Sequence, residues 1–218
     1  MIVDERTVAF MNSLDTGNPP YLDEIEEYAK ETDVPIIRKE MQEFLHFLLE
    51  LTRPLEILEV GTAIGFSALL MKEYAPAGCH ITTIEKYEKR IPLAKNNFSE
   101  HDPNGQITLI EGDALEVLET LSGTYDLIFM DAAKGQYIHF LPQLLRLLKP
   151  GAVLLSDNVL QDGDIIESKF AVTRRNRTIH KRMREYLYTL KHMECLTTTI
   201  LPVGDGITVS VRKREDKE

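Results

Sequence analysis

Apolar positions recur at three- and four-residue spacing through the first quarter of the chain, then gather into short runs of Val, Ile and Leu separated by helical stretches. The first pattern predicts helices over 4–14 and 21–32, parted by the breaker Gly17-Asn18-Pro19-Pro20. It also predicts a third over 37–52, where Met41, Phe44, Leu45, Leu48 and Leu49 share one face and Pro54 closes the end. The second pattern predicts strands over 56–60, 81–85, 107–111, 126–130 and 152–156, with helices over 66–75, 87–100, 114–121, 136–148 and 174–192. Strand and helix in turn, at that spacing, build βαβ units and hence a parallel sheet. A last pair, Leu196–Leu201 and Ile207–Arg212, is joined by Val203-Gly204-Asp205-Gly206, a link that suits an antiparallel hairpin.

The stretch Glu56-Ile-Leu-Glu59-Val-Gly61-Thr-Ala63-Ile-Gly65-Phe66-Ser67 is a strand that ends on an acid and turns through glycines into a helix. Open α/β sheets bind cofactors at such turns, where glycine lets the backbone come close to a ligand. A dinucleotide fingerprint would need glycines where Ala63 and Phe66 stand, so an NAD-dependent dehydrogenase is a distant reading. Glu59 repels a pyrophosphate but favours a sulfonium, which points to S-adenosylmethionine. Glu85, after the second strand, stands where such folds place an acid that holds ribose hydroxyls. Asp113-Ala114 is set to meet the adenine, with Ser67 and the Gly61 loop at the amino-acid end.

Glu59, Glu85, Asp113, Asp131 and Asp157 each sit at or just past the end of a predicted strand, so a parallel sheet brings them to one rim. Such crowding costs electrostatic energy unless a cation relieves it. Asp131 and Asp157-Asn158 supply two carboxylates and an amide oxygen, without sulfur or imidazole. Hard donors of that kind select magnesium, or manganese or calcium, over zinc. Lys134, three residues past Asp131, is then a general base for a hydroxyl beside the ion, since a nearby dication disfavours its charged form.

The bulk numbers narrow the field. A chain of 218 residues with a formal charge of −10 has room for a full core and no general affinity for nucleic acid or membrane, though a local basic patch remains open. Two unpatterned cysteines, Cys79 and Cys195, suit a reducing compartment, and neither a signal layout nor a spanning apolar run is present, so a cytoplasmic location with no membrane partner is expected.

Glu59-Val-Gly-Thr-Ala-Ile-Gly-Phe-Ser67, Glu85, Gly112-Asp-Ala114, Asp131-Ala-Ala-Lys134 and Asp157-Asn158, in that order, resemble the cation-dependent S-adenosylmethionine O-methyltransferases, the group of the catechol and caffeoyl-CoA enzymes. The resemblance spans nearly the whole chain. It implies a class I methyltransferase fold, α/β and Rossmann-like, with a seven-stranded, mostly parallel sheet, a reversed last strand and helices on both faces. That is one methyltransferase domain over 1–218, with helices of 1–52 packing over the sheet and cofactor site and a core over 56–212. It implies metal ligation by Asp131, Asp157 and Asn158, a base at Lys134, and cofactor contacts at Ser67, Glu85, Asp113, Ala114, Asp131 and, more softly, the backbone of Ile37. A homodimer follows from the likeness and from the apolar N-terminal helices.

Within that group, Asp131-Ala-Ala-Lys-Gly-Gln-Tyr137, Asp157-Asn-Val-Leu160 and Leu201-Pro-Val-Gly-Asp-Gly206 look most like the bacterial tRNA 5-hydroxyuridine methyltransferases, which act at the wobble position of the anticodon loop. Small catechols or other vicinal diphenols are the alternative acceptors, and a non-catalytic cofactor- or RNA-binding protein is the alternative of another class. Arg174, Arg175, Arg177, Lys181, Arg182 and Arg184 crowd one segment of an acidic chain. If Thr173 caps the helix, the first three arginines oppose its macrodipole, and phosphate contact would explain them; a solvated face pairing with Glu167 and Glu185 is the plainer account. Leu160–Thr173 is expected to be mobile over the substrate, and Arg214–Glu218 to fray.

Overall fold

The computed structural model describes residues 3–214. The chain divides into two compact units, Asp4–Ala114 and the chain from Leu115 onward together with Val3.

The first unit begins with helices α1 (Glu5–Asn12), α2 (Pro20–Glu31) and α3 (Lys39–Thr52). Asp4 caps α1 by accepting from the amides of Arg6 and Thr7, and Pro20 opens α2 where a missing N–H costs nothing. Then β1 (Glu56–Val60), α4 (Phe66–Tyr74), β2 (His80–Glu85), α5 (Ile91–His101) and β3 (Ile107–Glu111) follow in alternation. β1 pairs with β2 and β2 with β3, both parallel, with Glu59 opposite Thr83 and Glu85 opposite Glu111. Helix α4 is buried from Phe66 through Met71, so it forms the centre of this unit; each large aliphatic there contributes about 1.5–3 kcal/mol. Helix α5 starts at Ile91, not at 87, because Pro92 is accommodated in a first turn but not farther inside a helix.

The second unit holds α6 (Ala114–Thr120, its first residue from the unit before), β4 (Tyr125–Met130), α7 (Tyr137–Leu147), β5 (Leu148–Ser156), α8 (Arg177–His192), β6 (Leu196–Leu201) and β7 (Ile207–Arg212). β4 and β5 are parallel, whereas β7 runs antiparallel to both β5 and β6, so the sequence-expected hairpin is present. β5 begins four residues earlier than the apolar run at 152 suggests. Helix α8 begins three residues later than expected: the Thr173 carbonyl accepts from the Asn176 amide in a turn, and Thr173 is not its cap. All seven strands form one sheet in the order β3-β2-β1-β4-β5-β7-β6.

Leu160–Thr173 is tied at several points. Residues 161–163 form a 3-10 turn, Ile165 and Val172 are buried, Arg184 donates to the Ile165 carbonyl, and the His180 ring meets the Glu167 carbonyl at 3.1 Å. Ile166 and Phe170 face outward. Of the expected frayed tail, only Arg214 lies within the described residues. Among the described residues, no helix is long and apolar enough to cross a membrane.

Candidate active site

The parallel register of β1, β2 and β3 brings Glu59, Glu85 and Asp113 to one edge of the first unit, and each has protein donors. Glu59 has no exposed surface; its two oxygens accept from the Ser67 and Thr83 hydroxyls, both at 2.5 Å. The acid that sequence reasoning aims at a sulfonium is thus enclosed, and it anchors the start of α4 to β2. Glu85 accepts from the Ala63 amide at 2.8 Å, the Lys86 amide at 2.9 Å and the Tyr87 amide at 2.8 Å. About three of a carboxylate's roughly four acceptor sites are taken, so holding two ribose hydroxyls requires one backbone bond to yield. Asp113 forms an ion pair with Lys86 at 3.0 Å.

The loop between β1 and α4 is shaped by Glu85. Its bond fixes Ala63 at φ 50°, a conformation L-residues seldom adopt, next to Gly61 at φ 95°. Gly65, at φ 89°, is needed for a second reason: a Cβ there would meet Phe98 Cε1 at 2.6 Å. Thr62, in the same loop, is almost wholly buried, and its hydroxyl has no hydrogen-bond partner among the described residues. Sequence reasoning passed over Thr62, since a threonine between glycines carries no signal without its burial. Ile37 is buried two residues before α3, and its carbonyl accepts from Gln42 Nε2 at 3.1 Å, so that acceptor is already engaged.

In the second unit, β4 and β5 end side by side, with Met130 opposite Ser156, and Asp131 and Asp157 follow them directly. The Asp157 amide donates to the Met130 carbonyl, and its side chain accepts from the Asn158 amide at 2.7 Å. Asn158 sits at φ 59° and donates its Nδ2 to Asp131 Oδ1 at 3.0 Å. The three residues expected to act together are therefore in mutual contact. Burial, and then the Asp131 charge, push the Asp157 carboxyl up to about 8, against partial relief from the Asn158 amide and Lys134.

Lys134 opens a 3-10 turn, Lys134–Gln136, and partly offsets the Asp157 charge. Two groups hold this region, Tyr137, to which the sequence assigned no part, and Arg182, to which it assigned a different one. The Tyr137 hydroxyl, fully buried, lies 3.1 Å from the Asp157 carbonyl and 3.3 Å from that of Met130, bridging the two strand ends. Arg182, expected at RNA, donates to the Gly135 carbonyl at 3.0 Å and so braces the turn that carries Lys134. Arg177 donates to the Val172 carbonyl at 3.4 Å, while Arg174, Arg175 and Lys181 are exposed.

Residues 12–213 match the family model described as O-methyltransferase. The chain is 32% identical over 181 residues to caffeoyl-CoA O-methyltransferase 2 of Populus trichocarpa, covering 78% of this chain and 72% of that one. It is 30% identical over 161 residues to a catechol O-methyltransferase of Mycobacterium tuberculosis, covering 72% and 73%. The SAH-bound crystal structure of the Podospora anserina methyltransferase PaMTH1 superposes with a TM-score of 0.86 at 27% identity, covering 97% of this chain and 95% of that one. With its seven-stranded sheet and reversed last strand, the chain belongs to the O-methyltransferase family.

Proposed function

We propose that this protein moves a methyl group from S-adenosylmethionine to a hydroxyl oxygen of an acceptor held at Asp131, Asp157 and Asn158 with a magnesium ion. The observation that carries the reading is the Asp131–Asp157 pair, two carboxylates at neighbouring strand ends, of which Asp157 is almost wholly buried so that burial and the Asp131 charge both disfavour its ionised form. Asn158 Nδ2 against Asp131 supplies a partial positive charge where a cation would supply a full one. Two carboxylates and an amide oxygen suit a hard octahedral ion, manganese or calcium included, once the Asn158 amide, whose Nδ2 faces Asp131, turns its oxygen inward. Magnesium, when bound, would stabilise negative charge on the acceptor oxygen.

The chain's own residues do the rest. Lys134 takes the acceptor's hydroxyl proton, and Arg182 and Tyr137 keep its turn and the strand ends in place. The oxygen attacks the methyl carbon, the carbon–sulfur bond breaks, and S-adenosylhomocysteine leaves. Donor binding at the Gly61 loop and Glu85 is supported by the unsatisfied Thr62 hydroxyl and by SAH in the Podospora relative. Ser67, Asp113, Ala114, Asp131 and Ile37 remain proposed contacts around it, with Glu59 acting through Ser67.

The acceptor we favour is 5-hydroxyuridine in a tRNA anticodon loop, whose O4 and 5-hydroxyl form a chelating pair much like a catechol. Support comes from exposed Arg174, Arg175 and Lys181 and from a cleft of about 950 Å³ in which Lys169, Arg177, Lys181, Arg182 and Arg184 outnumber the acids Glu167 and Glu185. Small catechols are the second reading, favoured by relatives named catechol O-methyltransferase. Nucleoside mass spectrometry of a deletion strain separates them: loss of 5-methoxyuridine is expected, and an unchanged profile leaves the catechol reading. Purified protein that yields no methylated product from either acceptor leaves only a binding function. A homodimer is proposed from Phe10, Met11, Leu14, Phe47 and Leu51, exposed on and beside α1 and α3; a monomeric mass by sedimentation overturns it.

A further inference from the structure

Asn158 occupies the left-handed region at φ 59°, and its side chain points at Asp131 from that backbone. Asparagine enters this region at modest cost, so which basin it occupies is set by what holds the backbone on either side. The next two residues show what does. The Val159 amide donates to the Gly206 carbonyl at 2.8 Å, and the Leu160 amide to the Asp205 carbonyl at 3.0 Å. Both acceptors belong to the turn between β6 and β7, which the Gly206 amide closes on the Val203 carbonyl at 2.8 Å. Leu160 then packs its side chain against the bare face of Gly206. A Cβ at Gly206 would lie 2.6 Å from Leu160 Cβ and Cδ1 and against Cγ, and Gly206 itself has φ 83°. Val159 is fully buried, and the Leu160 carbonyl accepts from Gly163, so the chain is pinned on both sides of this contact.

We infer that the β6–β7 turn is a clamp for the cation seat, with Gly206 and Leu160 as positioning residues that set Asn158. This rests on reading Asp131, Asp157 and Asn158 as that seat. Neither residue has a side chain able to ligate a cation; they act by fixing the backbone that follows Asn158. Releasing the clamp lets Asn158 fall back to an ordinary conformation and turns its amide away from Asp131. Opening the clamp should lower cation affinity by about tenfold.

The test is manganese binding, followed by electron paramagnetic resonance of the free ion, with calorimetry of S-adenosylhomocysteine as the control. Gly206→Ala should weaken manganese binding by about tenfold and leave S-adenosylhomocysteine affinity within about twofold, since the residues assigned to the donor lie mainly in the other unit. Leu160→Ala should weaken it less, and Gly206→Ala with Leu160→Gly together should bind better than Gly206→Ala alone, because that pair removes every Leu160 atom a Cβ at 206 would strike, Cβ included. Should Gly206→Ala not fold, Leu160→Ala alone must still weaken binding. Unchanged manganese affinity in both single variants overturns the clamp while leaving the seat intact, as does a double variant no better than Gly206→Ala. Wild-type protein that binds no manganese overturns the seat itself.

Discussion

Asp157→Asn tests the electrostatics of the site directly. In the native protein the Asp157 carboxyl titrates at about 8, against 3.8 for an ordinary aspartate, because burial and Asp131 both disfavour its charge. Between those values the folded state holds a proton that the unfolded state has released. Stability is therefore greatest below the unfolded value and is lost as pH rises through the window to about 8. The slope is at most about 1.4 kcal/mol per pH unit, so raising the pH from 6 to 8 costs at most about 2.7 kcal/mol through this group. For a chain of this size that is roughly 5–11 °C in Tm. Asparagine has no proton to lose, so in chelator Asp157→Asn should flatten the Tm–pH profile by most of that amount. A cation needs the carboxylate ionised, so wild-type magnesium affinity should rise toward about tenfold per pH unit below pH 8. Differential scanning calorimetry at pH 6, 7 and 8, with and without magnesium, gives both. Parallel profiles for wild type and variant, together with a magnesium affinity flat in pH, would refute the reasoning.

Lys134→Ala should lower kcat by about 10²–10⁴ with S-adenosylhomocysteine affinity unchanged, read by single-turnover kinetics and calorimetry. Arg174→Glu with Arg175→Glu should weaken methylation of an anticodon stem-loop while sparing free catechol, and should lower the slope of log affinity against log salt by about 1–2; equal losses on both acceptors would remove the RNA contact. Gly65→Ala meets Phe98 and needs φ 89°, so it should cost roughly 2–4 kcal/mol in urea unfolding, with part restored by Phe98→Leu.

Much of this was legible in the linear chain. Period-two and period-3.6 patterning marks β1, β3 and the hairpin strands to the residue, since burial on one or both faces leaves a direct trace in side-chain type. Asp131, Asp157 and Asn158 could be paired from sequence because parallel neighbours place their strand ends together. The boundaries of α5, β5 and α8 were less legible, as turns there compete with the helix or strand over a few kcal/mol of local hydrogen bonding.

What sequence alone determined was which residue types stand at the strand ends, because those follow from local periodicity. Tertiary structure decided what each does there. It encloses Glu59 between two hydroxyls, gives Glu85 three backbone donors, and sends Arg182 to Gly135 rather than outward. It also buries Asp157 against the charge of Asp131. Burial and partner choice depend on groups far apart in the chain, and only folding sets those distances.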